Sequence, residues 1–560
     1  MFSVIWQKLK EIIHKMIGGK TIEQTLHIVP AISSVMEQAI QTWLDMYMGN
    51  ADWLKEPTFE DPVRITSLGL PAMIASEKAR TALLEFKSEI TTPTEDVEVE
   101  NPNYKEPEPD EFGNLIPSSE PPVITEARPK TDTARAEYLN KQYKEKILKK
   151  LQTPIEYMIA GGGLVIKPYV VSNTVTDENG KETQEYEIEA DFVHADNFYP
   201  LAFNANRLIT EAAFIETKAD KDTTYRRLEY HKWQNNSVTI VNKAFKSSHN
   251  SQQTANARDL GQEIPLSSIP EWKDLKDKVI IKNVSKPLFA YIKMPEANTV
   301  DMNSPLGASG FSRAVGLIKD ADMQYSRLLW EYEAGEMAID VDRDALAFRE
   351  DAGGAMHTVL GRTQQRIFRK VDLGESNTYQ PFAPSLRDAS FNQGLNTILM
   401  RIEDVCAISR GTLSDATTEA RTATELKILK QRSYQANANI QKAIEDGLKD
   451  VIYVMNVYCD LYEITPAGEY DTSFEWDDSI IVDVDIELAK RLQLQQAGIS
   501  SKLETRMWYF GETERQAKEA LQKIDEENSQ QMEQDLVKQA NEINLNQQAQ
   551  NEQGKDEQNS

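Results

Sequence analysis

The sequence predicts an α+β protein, predominantly helical. Two observations carry this. Apolar residues recur at helical spacing through long stretches such as 311–332, 391–405 and 422–458, and short alternating segments broken by turn residues cluster between 164 and 244. A third is length: 560 residues allow about three domains and a core that needs neither disulfide nor metal.

The elements follow in order. Met1 to Lys20 places Ile5, Leu9, Ile12, Ile13 and Met16 at helical spacing with Lys8, Lys10, Lys15 and Lys20 opposite, as in a docking helix or a membrane-surface helix. It lacks the uninterrupted apolar run of a signal peptide. Residues 20 to 90 read as helical, with Ile32, Val35, Met36, Ala39, Ile40 and Trp43 on one face and a second run from Ile74 to Leu84. From Thr91 to Lys130 proline and acid dominate, as in Glu106-Pro107-Glu108-Pro109, which predicts a flexible insertion. A helix is expected over Ala134 to Ile159. Gly161-Gly162-Gly163 then precedes the strand Leu164 to Val171; Lys167 does not stand at a phosphate-loop position, so the glycines read as a permissive junction between helix and sheet. Asp177 to Gly180 signals a hairpin. Strands are predicted over Tyr186–Phe192, Glu211–Lys218, Thr224–Trp233 and Ser237–Ala244, forming an antiparallel sheet.

Next comes a helix with Phe311, Val315, Ile318, Tyr325, Leu328, Leu329 and Tyr332 on one stripe. A β-rich excursion, Met337 to Pro384, carries Arg343, Arg349, Arg362, Arg366 and Arg369. A second helix opens at Ser385 with Asp388 three residues on, a capping-box spacing. Along it Phe391, Leu395, Ile398, Ile402 and Val405 follow at strict 4,3,4,3 intervals, a seam suited to lengthwise packing. Ser409 to Thr418 lacks apolar periodicity and reads as an exposed loop. From Thr422 a helix of about 35 to 40 residues runs through Leu426, Leu429, Ile440, Ile444, Val451, Ile452, Met455 and Tyr458, some 55 Å long. Gly447 within it, with Asn437 and Asn439, is where a bend is expected. Phe474, Trp476, Ile480, Ile481, Val482 and Val484 suggest a short strand; helices follow over Ile486–Ala497 and Ser501–Ile524, then a Gln, Asn and Glu tail from 526 expected to be mobile.

The function classes narrow accordingly. With 62 basic against 89 acidic residues, a formal charge of −27, the chain is no ordinary tight DNA binder, because such affinity comes from neutralising phosphates. Cys406 and Cys459 both fall on apolar helical positions, as structural thiols do. Six histidines show no zinc-ligand spacing, and His194 with Asp191 and Asp196 reads as a solvated strand rim instead of an acid-base pair. No enzyme, no cofactor and no metal is expected, nor does any apolar run reach the length of a membrane span.

Several local phrases, in this order, resemble the portal proteins of tailed double-stranded DNA phages, of the kind found in siphophages of Gram-positive bacteria. They are Ser67-Leu-Gly-Leu-Pro71 leading into Ile74-Ala-Ser-Glu77, Phe198-Tyr-Pro-Leu201, Tyr225-Arg-Arg-Leu-Glu-Tyr-His231, Ser304-Pro-Leu-Gly307, and Ile408-Ser-Arg-Gly-Thr-Leu413 with Thr422-Ala-Thr-Glu425. The resemblance covers about residues 20 to 525. It implies a portal-type subunit: a wing region over 1–310 containing the insertion 91–130, stem helices over 311–336 and 385–408, a clip over 337–384, a tunnel loop over 409–418, a long kinked helix with wing return over 419–485, a helical crown over 486–525 and a disordered tail over 526–560. It also implies a ring of twelve copies at one capsid vertex, assembled in the host cytoplasm. That ring would pass double-stranded DNA without sequence specificity in packaging and ejection, and would dock the terminase large subunit, a head-completion adaptor, and major capsid and scaffolding proteins. The other head-assembly role considered is an adaptor or minor capsid protein. On this chain the implied tunnel loop comprises Ser409, Arg410, Gly411, Thr412, Ser414 and Thr417, and the stem packing residues are Phe391, Leu395, Ile398 and Ile402. An acidic lumen is then expected to repel phosphate, with Arg410 or clip arginines making a few salt-sensitive contacts.

Overall fold

Helix and strand segregate along the chain as the two hydrophobic periods require. The computed structural model describes residues 20–28, 31–55, 64–101, 104, 108–109, 115–116, 123–176, 182–221, 223–248, 259–342, 348–350, 356–358, 368–371, 379–415, 423–476, 484–512 and, apart from 515 and 519, 514–524. Helix accounts for 44% and strand for 28%, so the class is a mixed α+β with helix only moderately in excess. Two compact units divide the chain, Met1–Trp476 and Asp477–Ser560.

In the first unit, β1 (Lys20–Thr21) leads into α1 (Ile22–Leu26), where Thr21 and Gln24 form a reciprocal capping box. Ser33 caps α2 (Ser34–Tyr47) by accepting the Met36 N–H. Met36, Ile40, Trp43 and Met46 face inward, whereas Val35, expected on that face, is exposed because it lies a residue off the 3.6 period. Pro71 sits in the first turn of α3 (Leu70–Ala82), where its missing N–H costs nothing. β2 (Lys87–Thr91) follows. Within the stretch read as a flexible insertion, β3 (Thr94–Glu100) pairs antiparallel with β6 (Val123–Pro129), and β4 (Glu108–Pro109) with β5 (Leu115–Ile116). The alternation Val97-Glu98-Val99-Glu100 supplies the period of two that composition alone concealed.

The single helix expected over Ala134 to Ile159 is two, α4 (Ala134–Gln142) and α5 (Gln152–Gly161), joined by a π turn and a 3₁₀ turn. Pro154 accounts for the break: within a continuous helix its ring would meet the carbonyl four residues back. At the triple glycine, Gly162 adopts φ +88° and caps α5 by donating to the Met158 carbonyl, while a Cβ there would lie 2.5 Å from the Gly307 carbonyl oxygen. The junction is therefore one that only glycine fits.

β7 (Gly163–Thr176) and β8 (Glu182–His194) form a long hairpin, its turn at 177–181 outside the described residues, and β15 (Ala290–Lys293) pairs with the other edge of β7. The larger sheet runs β1, β13 (Asp259–Ile264), β12 (Ser237–Ser248), β11 (Thr223–Gln234), β10 (Ile209–Asp220) and β9 (Phe198–Phe203), with β14 (Lys278–Lys282) also on β12. Every ladder in these two sheets is antiparallel, as the hairpin signals predict. One charged group crosses between the sheets: Lys167 on β7 donates to Glu229 on β11 at 2.8 Å, and Glu229 also meets His231 at 2.7 Å and Arg227 at 3.0 Å. Burial works against the charge of Glu229, yet Lys167, then His231 and Arg227, hold its carboxyl well below the usual range.

Beyond the sheets, a 3₁₀ turn at Ser312–Ala314 precedes α6 (Val315–Ala334), so Phe311 stands before the helix and not in it; its side chain is buried nonetheless. The excursion that follows holds β16 (Ala338–Asp342), parallel to β19 (Phe368–Val371) and antiparallel to β20 (Tyr379–Phe382), with β17 (Phe348–Glu350) paired to β18 (Met356–Thr358). Next are α7 (Asp388–Cys406) and α8 (Ala423–Leu461), the latter 39 residues long. The described side chains of α8 bury Ile440, Ile444, Leu448, Val451, Ile452, Val454, Met455 and Cys459 against the main core; Leu426 and Leu429 lie outside the described side chains. Arg135 on α4 fastens the far end of α8, donating to Asn456, Asp460, Thr465 and the Pro466 carbonyl from a nearly inaccessible site. β21 (Asp471–Glu475) closes the unit against β2. Both cysteines are buried free thiols, with burial pushing Cys406 up to about 12 and Cys459 up to about 11.

In the second unit Val484, read as strand, opens α9 (Val484–Gln496). α10 (Lys502–Phe510) carries a Ser501–Glu504 capping box and ends at Gly511, with helical residues recurring between 514 and 524. Arg491 stacks over the Trp508 ring at 4.4 Å, joining the two helices.

Gly447 has a packing role within an α8 that runs unbroken: a Cβ at this position would lie 2.4 Å from Ile292 Cγ1 on β15. Gly447→Ala is expected to lower unfolding stability in urea melts, because overpacking of about 1 to 3 kcal/mol exceeds the helix-propensity gain of about 1 kcal/mol.

Candidate functional site

The helices α6 and α7, 20 and 19 residues long, pack along one another and each spans about 30 Å. Of the seam residues on α7, Ile402 is fully buried and Leu395 nearly so, while Phe391 and Ile398 are half-buried. On α6, Ile318, Ala321 and Leu328 are buried. The stripe on α6 is not buried throughout. Leu329 and Tyr332 are exposed, because near the end of the helix the contact face is taken by Leu328 and Glu331. Trp330, 62% exposed, stands beside them on the outer face.

A charged clasp joins the two helices at that end. Glu331 on α6 accepts the Arg387 backbone N–H at 3.0 Å and two guanidinium hydrogen bonds at 3.1 and 2.7 Å. The capping box expected at Ser385 does not form; α7 begins at Asp388, and Glu331 instead satisfies the backbone at Arg387. Arg387 also lies over the Phe391 ring at 5.4 Å. Its hydrogen bonds hold the Glu331 carboxyl below the usual range. Farther along α6, Asp322 is buried and accepts from Trp53 Nε1 at 2.9 Å and the Leu68 N–H at 2.8 Å. Burial raises its pKa, and these two donors partly offset the rise.

At the other end of α7 a third buried carboxylate organises the loop. Ala407 takes a left-handed conformation, φ +53°, and stops the helix. Glu403, fully buried, then accepts the Leu413 N–H at 2.7 Å and Ser414 N–H at 2.9 Å on one oxygen and the Ser414 hydroxyl at 2.8 Å on the other. Asn396 accepts the Asp415 N–H at 2.8 Å. Arg410 makes a two-pronged pair with Asp404 of its own chain, at 3.1 and 2.6 Å. Gly411 and Thr412 are exposed, Ser409 is half-exposed, and the Thr412 hydroxyl donates to the Ser409 carbonyl at 2.7 Å. Ser414 departs from the expected exposed loop: it is buried because Glu403 requires its donors. Thr417 lies outside the described residues, as do the side chains of the five arginines in the excursion. Glu403, Glu331, Arg387 and Trp330 carry no motif or period in the sequence that marks them for these places. Trp330 had a signal, a large aromatic off the apolar stripe; Glu403 had only its adjacency to Ile402.

Among the described residues no three His, Cys, Asp or Glu side chains gather as a metal site, and no helix is long and apolar enough to cross a membrane. What this region presents is a long clasped helix pair, an anchored loop and a helix reaching into the core. Residues 130–534 match the family described as phage portal protein, SPP1 Gp6-like, and the chain belongs to that family. It is thus a structural, non-enzymatic protein of the phage head, and membership implies a component of the capsid vertex. No curated protein matches it.

Two outcomes are expected. In Ser414→Ala, the amides of Leu413 and Ser414 should exchange hydrogen about tenfold faster or more, since one charge-assisted bond is worth about 1.5 to 3 kcal/mol; hydrogen exchange with mass spectrometry reads this. The Glu331 carboxyl has a folded-state pKa below its unfolded value, so its stabilisation is complete above the ordinary glutamate range, about 4.3, and is lost as pH falls through the depressed value. Arg387→Ala should flatten that part of the stability–pH curve measured by chemical denaturation.

Proposed function

We propose that twelve copies of this chain form a ring at one capsid vertex, with α6 and α7 as the stem around a channel that passes duplex DNA inward during packaging and outward at ejection. Residues 337–384 form the clip, 409–418 the tunnel loop, 419–485 the long helix and wing return, and 486–525 the crown, with a tail over 526–560. The terminase large subunit, a head-completion adaptor, and major capsid and scaffolding proteins dock on this ring, and the phage is a siphophage of Gram-positive bacteria. Family membership supports the reading at its coarsest level.

The observation that carries the ring is an apolar edge on the helix pair. Leu329, Trp330, Tyr332 and Met337 are 38, 62, 43 and 64% exposed, and Leu386 beside them is 42% exposed. Single exposed apolar residues need no explanation, but five grouped where two helices meet suit a contact between copies. A closed ring of identical contacts would cover them in every subunit.

Trp330→Asp should leave a folded chain that no longer assembles, whereas Ile402→Asp, which buries an unpaired carboxylate, should cost several kcal/mol and impair folding itself. Negative-stain imaging with mass measurement, alongside circular dichroism, separates these results. Intact rings from Trp330→Asp would remove the proposed edge, and a monomeric wild-type chain would remove the ring.

A further inference from the structure

Among the described residues, β3 and β14 each lie at the rim of a sheet with an outer edge that no strand covers, and the two edges are complementary. On the ribbon of β3 and β6, the Lys130 N–H donates to the Pro93 carbonyl at 2.8 Å, so the bonds that join the two strands fall on Glu95, Val97 and Val99. Asp96, Glu98 and Glu100 therefore turn their backbone N–H and C=O groups outward. Their side chains are exposed, while Val97 and Val99 on the opposite face are half-buried. Across the ribbon from these three acids stand Ala127, Thr125 and Val123, none of them basic. The far edge of the ribbon is interrupted at Pro129, which has no N–H. On β14, the Asn242 N–H donates to the Asp277 carbonyl at 2.9 Å, which places the bonds to β12 on Val279 and Ile281 and turns the backbone of Lys278, Ile280 and Lys282 outward. These three side chains are exposed too, Ile280 by 54%, and across from them on β12 are Val241, Thr239 and Ser237, none acidic. Other edges are engaged from within the chain: on β9 the Pro200 carbonyl accepts the Ala31 N–H at 3.1 Å, and on β8 the Ile188 N–H donates to the Tyr138 hydroxyl at 3.3 Å.

We infer that β14 of one copy adds to β3 of the next copy as an antiparallel strand, with Asp96 opposite Lys282, Glu98 opposite Ile280 and Glu100 opposite Lys278. This rests on the ring reading above and supplies it with a contact. In that register opposite charges meet at both ends of one face, while on the other face Val97 meets Ile281 and Val99 meets Val279. The outward N–H and C=O groups of each strand, otherwise left to water, find partners in the added strand. Antiparallel pairing is the more stable of the two directions per residue. The same charges keep each edge from pairing with its own kind, since acids would stand opposite acids on two copies of β3 and lysines opposite lysines on two copies of β14. Because the contact joins two different strands it is head-to-tail, and contacts of that kind build rings when their rotation closes.

The test co-assembles full-length chains carrying Glu98→Cys with chains carrying Ile280→Cys and treats the rings with a short bismaleimide. Both positions are exposed, so neither substitution threatens folding, and the buried Cys406 and Cys459 stay unreacted. Mixed rings should give covalent dimers on denaturing gels, and rings of either variant alone should not. Intact mixed rings without crosslinks, or equal crosslinking within a single variant, would overturn the pairing and leave the ring standing. Asp96→Cys should couple to Lys282→Cys and not to Lys278→Cys; the opposite preference would overturn the register. Adding Lys278→Glu and Lys282→Glu to the Ile280→Cys chain should lower the yield severalfold, and adding Asp96→Lys and Glu100→Lys to the Glu98→Cys chain should restore it. An unchanged yield after the first pair of changes, or no recovery after the second, would equally overturn the inference. If the unsubstituted chain forms no ring, the ring reading fails and takes this contact with it, an outcome distinct from intact rings that do not crosslink.

Discussion

Glu403 and Ile402 are neighbours in sequence, both wholly buried, and they point into opposite kinds of environment. Ile402 enters the apolar seam that packs α7 against its surroundings, while Glu403 gathers three donors from the loop that follows. A carboxylate without solvent is costly unless its lone pairs are filled, so the loop over 409–415 cannot leave without exposing that cost. The helix and the root of its loop therefore behave as one body. At the opposite end Glu331 and Arg387 impose the same condition on the join between α6 and α7.

The rest of the first unit repeats this arrangement of apolar area with a few buried charges at the joins. Lys167 and Glu229 connect the two antiparallel sheets, Arg135 holds the end of α8, and Asp322 collects the indole of Trp53 and the amide of Leu68. Lys78 does likewise between α3 and the segment before α6, donating to Glu296 and the Gly310 carbonyl. Such pairs contribute less net stability than the apolar burial around them, but removing one partner leaves a stranded charge, which fixes how the elements meet.

Function in a portal protein is carried by surfaces and not by a reaction centre. On the helix pair, exposed apolar residues sit at the clasped end of α6 and exposed polar residues along α7. Net charge is a poor guide to either. The −27 of the whole chain describes its long-range field and not the local charge of any one helix face, which depends on which carboxylates are buried or paired there.

Much of this was legible in the order of residues. The α+β class, the antiparallel strands, the burial of Leu395 and Ile402 on α7, the 39-residue helix and the buried cysteines all rest on local period or on apolar placement, which the sequence carries directly. The Ser385 cap, the exposure of Ser414 and the single helix through Pro154 do not occur, since each depends on a residue distant in the chain or on a local steric clash outweighing the apolar pattern. Glu331 displaced the cap, Glu403 drew Ser414 inward, and Ile292 explains Gly447. The sequence by itself determined which segments become helix or strand, because hydrophobic period is local; only the tertiary structure decided which charges are buried and which faces stay open, because that depends on partners the chain brings together from far apart.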